Sequence, residues 1–173
     1  RPTQWITSSF MHRDPGHILG NMVFLWVFGQ IVEGKLGWKK FLPCYLGIGV
    51  LKCALEQAAT VVLQIEGTSF GASAILYGLL AMALVWAPQN EVSVFYWFIW
   101  RIGTFSLTIR ATAFIYVGLD VARALFHWSM GTGLTSSVLH LMGAAIGFPL
   151  AVVLLRRGAV DCEGWDLFSL RDG

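Results

Sequence analysis

Five residues in this chain have the types and spacing that acyl transfer uses: His17, Asn21, Ser73, Tyr77 and His140. A serine hydroxyl is a weak nucleophile until a base takes its proton, and a neutral imidazole is the usual base near neutral pH. Ser73 and His140 make such a pair if the helices that carry them touch. Small residues favour that contact: Gly71-Ala72-Ser73-Ala74 on one helix, and Gly143 with Gly147 in GxxxG spacing on the other. Attack on a carbonyl creates an oxyanion that needs preorganised donors. His17 and Asn21 are four apart, hence on one helical face, and both can donate. The backbone N–H of Ser73, at a helix start, is a third donor. Tyr77, one turn below Ser73, faces the same space and can hold the ring of the base. Taken singly, each feature has a plainer reading. Small-x-Ser-small and GxxxG both serve helix packing, and a histidine in an apolar helix is often a satisfied core residue.

The chain that must position them is strongly apolar. Its 173 residues are 56% hydrophobic, 14% aromatic and 13% charged, against about 25% charged in an average soluble domain. Mean hydropathy is +0.65. A soluble enzyme, a disordered tail and a nucleic-acid binder all fit poorly, and a net charge of +2 supplies no basic field for a polyanion. The composition predicts one integral membrane domain. Apolar runs at His17–Val32, Phe41–Leu63, Phe70–Ala87, Ala111–Phe126 and Val138–Leu155 read as five spans. They read as helices because only helices and closed barrels satisfy their backbone in lipid, and no alternating barrel pattern appears. Val92–Trp100 is aromatic but too short to span, and it is expected in the membrane interface.

With five spans the connections alternate sides. Lys35, Lys39, Lys40, Arg101, Arg156 and Arg157 fall on one side, and Arg1 and Arg13, with Glu66 and His127, on the other. The positive-inside bias puts the first group in the cytoplasm. The first, third and fifth spans then run inward together from the outer surface. His17, Asn21, Ser73 and His140 all lie in first turns, at similar shallow depth for a rise of 1.5 Å per residue. Polar side chains at such positions are costly in lipid and turn inward. Their shared level argues for a serine hydrolase site.

The stretch His12-Arg13-Asp14-Pro15-Gly16-His17-Ile18-Leu19-Gly20-Asn21-Met22 closely resembles the second transmembrane helix of the rhomboid intramembrane serine proteases. Phe28 to Gly37 resembles the end of that helix, Gly71-Ala72-Ser73-Ala74 the nucleophile motif of the fourth, and His140-Leu141-Met142-Gly143 with Gly147 the catalytic-histidine helix, the sixth. The resemblance runs from about Trp5 to Arg157. It implies an all-α polytopic bundle, a six-helix core whose first helix has no counterpart in this chain. It also implies a Ser–His dyad without an acidic third member. Carried over by motif, Ser73 is the nucleophile and His140 the general base. His17, Asn21 and the Ser73 N–H form the oxyanion hole, and Tyr77 supports His140. No cofactor or metal is implied, and the substrates are transmembrane or membrane-adjacent segments of other proteins. A bacterial cytoplasmic membrane is the expected location, with the site opening to the outer side. Ala74 stands where the family motif more often has Gly.

Other features carry plainer expectations. Cys44, Cys53 and Cys162 show no metal-ligand spacing and read as buried fillers. Lys52 with Glu56, and Asp120 with Arg123, stand at helical pairing distances and read as ion pairs, with an ion path as the sharper alternative. Glu33 and Gly37 read as structural, His12 as an anchor of the outer loop, and Pro149 as a bend. Residues 158–173 read as a polar cytoplasmic tail, either disordered or docked through Trp165 and Phe168. The chain begins at Arg1, with no signal peptide before the first span, and this start reads as a cut edge. Two rivals follow from different classes: a non-catalytic rhomboid-like adaptor that binds transmembrane helices, and a transporter using the paired charges.

Overall fold

The computed structural model describes residues 3–64, 71–98 and 100–169. Arg1 and Glu66 of the orientation argument, and Phe70 at the head of the third apolar run, lie outside the described residues. The described part is mostly helical, as expected. A short helix α1 (Gln4–Thr7) and one 3-10 turn (Ser8–Phe10) lead to α2 (Pro15–Phe24). The start of α2 is encoded locally. Asp14 is extended and its carboxylate accepts the His17 N–H at 2.8 Å, while Pro15 takes the first helical position, where an N–H has no partner to lose. A wider π turn at Leu25–Gly29 joins α2 to α3 (Gln30–Leu36), so that residues 15–36 form one continuous rod. Gly37 stops it at φ +72, a conformation that strains other residues, and α4 (Trp38–Leu63) begins at once.

The helix α5 (Ser73–Trp86) is buried along nearly its whole length and on every side, with Leu79, Met82 and Trp86 at its centre. A helix apolar all round belongs in the middle of a bundle, and α5 has α2 to α4, α6 (Ile109–Ser129) and α7 (Ser136–Arg156) around it. Trp86 closes its inner end by donating its indole N–H to the Ala151 carbonyl at 3.0 Å. At two points α5 and α7 meet backbone to backbone. A Cβ added at Gly143 would collide with the Ala74 carbonyl, and one at Gly147 with the Gly78 carbonyl. Both contacts step four residues on each helix, so α5 and α7 run parallel. The third and fifth apolar runs therefore do share a direction.

Among the described residues, three helical stretches are long and apolar enough to cross a membrane: Pro15–Leu36, Trp38–Leu63 and Ser136–Arg156. Their outer faces expose Leu19, Trp26, Val61 and Val62, as lipid contact requires. Five such spans were expected. The enclosed α5 has 14 residues, about 21 Å at 1.5 Å each, short of the roughly 30 Å hydrocarbon layer. The 21-residue α6 is long enough but carries Asp120 and Arg123.

Two expectations need correction. Within Val92–Trp100, expected as an interfacial stretch of an all-α fold, residues 92–98 belong to a β-strand, and Ile99 lies outside the described residues. Strand β1 (Glu91–Phe98) pairs antiparallel with β2 (Arg101–Thr108), in a register from Glu91↔Thr108 to Phe98↔Arg101. Its β-branched and aromatic residues favour strands, and Val92 and Val94 turn inward between exposed neighbours. The helical bundle stands, with this hairpin added between α5 and α6. Residues 158–169 take the docked of the two expected forms, but not through Trp165 and Phe168. They fold back on the inner end of the bundle through Val160 and Cys162, both buried, while Trp165 stays 63% exposed. Leu167 N–H donates to the Val85 carbonyl at 2.8 Å, and Lys35 Nζ to the Asp161 carbonyl at 3.3 Å. Small residues dock the segment where large ones were expected.

Candidate active site

Ser73 opens α5, half-buried, two residues after a glycine whose conformation sets its approach. Gly71 has φ +107, and its N–H donates to the Ser8 carbonyl at 2.8 Å, which pins the start of α5 to the 3-10 turn at Ser8–Phe10. A side chain at Gly71 would press on His17, whose Cε1 lies 3.2 Å and Nε2 3.6 Å from where its Cβ would stand. The ring of His17 thus lies beside the approach to Ser73 with its Nε2 edge inward. Its Nδ1 accepts the Arg13 N–H at 3.4 Å. In a neutral imidazole that leaves the proton on Nε2, where it is free to donate.

One turn below His17, Asn21 is 6% exposed, and its Nδ2 has no hydrogen-bond partner among the described residues. A buried amide donor left unpaired costs about 1–3 kcal/mol, so its retention points to an acceptor that arrives from outside the fold. Beside it, His12 Nδ1 meets the Phe10 carbonyl at 3.2 Å, as an anchor of the outer loop should, while His12 Nε2 is buried without a partner among the described residues. The His12 and His17 rings meet edge to face at 5.4 Å.

His140 stands in the second turn of α7, one turn above the Gly143 contact with Ala74. The backbone seam therefore brings the histidine-bearing turn alongside the serine-bearing turn. Tyr77 stacks on the imidazole, ring centroids 4.3 Å apart and planes within 12°; its ring also meets Phe24 at 5.8 Å and Tyr116 at 6.3 Å, and its hydroxyl donates to Asp120. All five residues singled out from the sequence thus lie in the N-terminal halves of the 15–36 rod, α5 and α7, with α5 packed against the other two.

Reading the sequence missed Asp120. The expected pair with Arg123 does form, at 3.6 Å from a largely exposed guanidinium, but the carboxylate has closer partners on α7. Asp120 is 1% exposed. Its Oδ2 lies 2.8 Å from His140 Nδ1, and its Oδ1 accepts the Ser137 hydroxyl at 2.9 Å. Ser137 and His140 are three apart, hence on one face of α7, and that spacing was the available signal. Lys52 and Glu56 form the expected pair at 2.8 Å, both mostly buried. No group of three or more metal-ligating side chains occurs among the described residues.

The family model described as Rhomboid domain matches residues 1–157. The mitochondrial presenilin-associated rhomboid-like protein of Homo sapiens is 25% identical over 142 residues, covering 82% of this chain and 35% of that protein. The chloroplastic rhomboid-like protein 11 of Arabidopsis thaliana is 26% identical over 162 residues, 87% of this chain and 52% of its own. The rhomboid-like protease 2 of Toxoplasma gondii is 35% identical over 85 residues, 44% of this chain and 28% of the protease. The chain spans about a third of the length of the presenilin-associated relatives it matches. No solved structure matches it significantly.

Proposed function

The chain belongs to the rhomboid family, and on that premise we propose that it is an intramembrane serine endopeptidase acting on transmembrane or membrane-adjacent segments of other proteins. The observation that carries the proposal is the seam of Gly143 on Ala74, which sets a stacked, hydrogen-bonded imidazole beside the first residue of α5. In this reading His140 Nε2 takes the Ser73 proton as Oγ attacks the scissile carbonyl, then returns it to the leaving amine. The oxyanion formed in between is held by Asn21 Nδ2, His17 Nε2–H and the Ser73 N–H. Asn21 supports that role through its unpaired donor, and His17 through the tautomer that Arg13 imposes. Tyr77 keeps the base in plane.

The site sits at the end of the bundle opposite Lys35, Lys39 and Lys40, so the positive-inside bias favours the non-cytoplasmic or equivalent face for it. The named relatives are mitochondrial and chloroplastic, and a bacterial membrane gains no support from them. Labelling of the detergent-solubilised chain by a fluorophosphonate probe tests the proposal. Wild type should label, and Ser73→Ala and His140→Ala should not, with the melting temperature unchanged in Ser73→Ala and lowered in the still-folded His140→Ala, which leaves Asp120 Oδ2 without this partner. A folded wild type that stays unlabelled would favour the helix-binding adaptor. Retained labelling in Ser73→Ala would remove Ser73 as the nucleophile.

A further inference from the structure

A carboxylate inside an apolar helix is expensive unless its oxygens are satisfied. Asp120 is the most deeply buried charge in α6, and the neighbouring helix α7 satisfies both of its oxygens: Ser137 Oγ donates to Oδ1 at 2.9 Å, and His140 Nδ1 meets Oδ2 at 2.8 Å. The charged partner next to it in sequence, Arg123, reaches only to 3.6 Å from an exposed position. We propose that Asp120 is the positioning residue of the base, giving this chain an acidic third member where its resemblance to the family implied a dyad. The inference rests on the reading of Ser73 and His140 as nucleophile and base.

The chemistry follows from the inventory of donors. An ionised carboxylate only accepts, so the proton between Asp120 and His140 sits on Nδ1. A neutral imidazole has one N–H, and Nε2 is left with the lone pair that a general base needs. Two constraints then hold the ring. The hydrogen bond fixes rotation about its attachment, and the Tyr77 stack at 4.3 Å fixes its plane. Ser137 in turn locks the carboxylate. When Ser73 Oγ bonds to the substrate carbonyl carbon, its O–H bond breaks and the proton moves to Nε2. The positive imidazolium so formed lies against the Asp120 carboxylate, which stabilises it and stays ionised throughout. The proton leaves with the departing amine, and Asp120 gains and loses nothing.

A carboxylate that merely joined α6 to α7 would show in stability alone, whereas a positioning carboxylate governs the tautomer and the rate. The test uses the full chain in detergent, labelled with 15N-histidine. Fluorophosphonate labelling is resolved into its maximal rate and its half-saturation concentration. Asp120→Asn keeps the shape but can donate to Nδ1, which favours the proton on Nε2, the wrong nitrogen. Its maximal labelling rate should fall by roughly two to four orders of magnitude, with half-saturation within about threefold. The His140 15N shifts should move from the Nδ1–H towards the Nε2–H tautomer. Ser137→Ala, which keeps the carboxylate, should lose about tenfold in rate, and it serves if Asp120→Asn does not fold. A wild-type rate in either folded variant, or an unchanged tautomer in Asp120→Asn, overturns the positioning role. A wild type that does not label while its tautomer still follows Asp120→Asn overturns the hydrolase reading and leaves the hold of Asp120 on the ring supported.

Discussion

Replacing Gly143 by alanine tests whether the backbone seam sets the geometry of the site. The new Cβ would stand 2.6 Å from the Ala74 carbonyl carbon and 3.1 Å from its Cα. Carbon atoms pack at about 3.5–4.0 Å, so α7 must withdraw from α5 by about 1 Å. No flexible side chain is there to yield in its place. Overpacking of this kind costs about 1–3 kcal/mol, and the chain should remain folded with a lowered melting temperature. The rate should suffer more, because a misplacement of about 1 Å between reacting groups costs roughly 100-fold. Gly118→Ala on α6 is the matched control, since an added Cβ there meets nothing within 4 Å. It should label at the wild-type rate and be no less stable. The assay is fluorophosphonate labelling beside a thermal melt for both variants. Gly143→Ala with wild-type labelling would refute the argument that this seam brings Ser73 and His140 together. Equal losses in Gly143→Ala and Gly118→Ala would do the same.

Two other substitutions separate catalysis from stability. Asn21→Ala removes a buried donor that has no partner among the described residues of the resting fold. It should lower maximal turnover by about 10²–10³ with little change in half-saturation or melting temperature; an unchanged rate would take Asn21 out of the oxyanion hole. The folded-back segment offers a pH readout. Burial pushes the Asp166 carboxyl up, but the Ser169 hydroxyl and the N–H groups of Phe168 and Ser169 outweigh it and hold the group below its ordinary value. A carboxylate lowered on folding stabilises the docked segment fully above its unfolded value of about 3.9 and loses that contribution as pH falls through the folded value. Proteolysis after residue 157 should therefore speed up in acid, and Asp166→Asn should be cut at every pH at the rate wild type reaches only in acid. A wild-type rate that does not vary with pH would show that Asp166 does not hold the segment.

The site was legible in the sequence where backbone geometry follows directly from residue type. Gly143 and Gly147 four apart, a small run around Ser73, and an Asp-Pro start before His17 each dictate a local outcome, and together they bring three helix ends to one level. The role of Asp120 was hidden because a plausible partner, Arg123, stood three residues away, while its actual partners are on another helix. Whether a helical carboxylate faces its own neighbour or the next helix depends on bundle rotation, which pairwise spacing does not encode. The hairpin was hidden for a different reason. In Phe95-Tyr96-Trp97-Phe98 every position is apolar, so the period of two that marks a strand has no polar half to show it. The inner segment was misjudged because Val160 and Cys162, modest in size, fill their sites better than the larger Trp165 and Phe168.

The closing segment also supplies a chemical gauge. Cys162 lies on its buried side, 3% exposed, and burial pushes its thiol up, so little thiolate is present to react while the segment is seated. The same segment is bonded to Val85, twelve residues along α5 from Ser73 or about 18 Å at 1.5 Å per residue. The rate at which an alkylating reagent captures Cys162 therefore times the lifting of this segment from the helix that begins with Ser73. A native sulfur atom reports on the far end of that helix without any label being introduced.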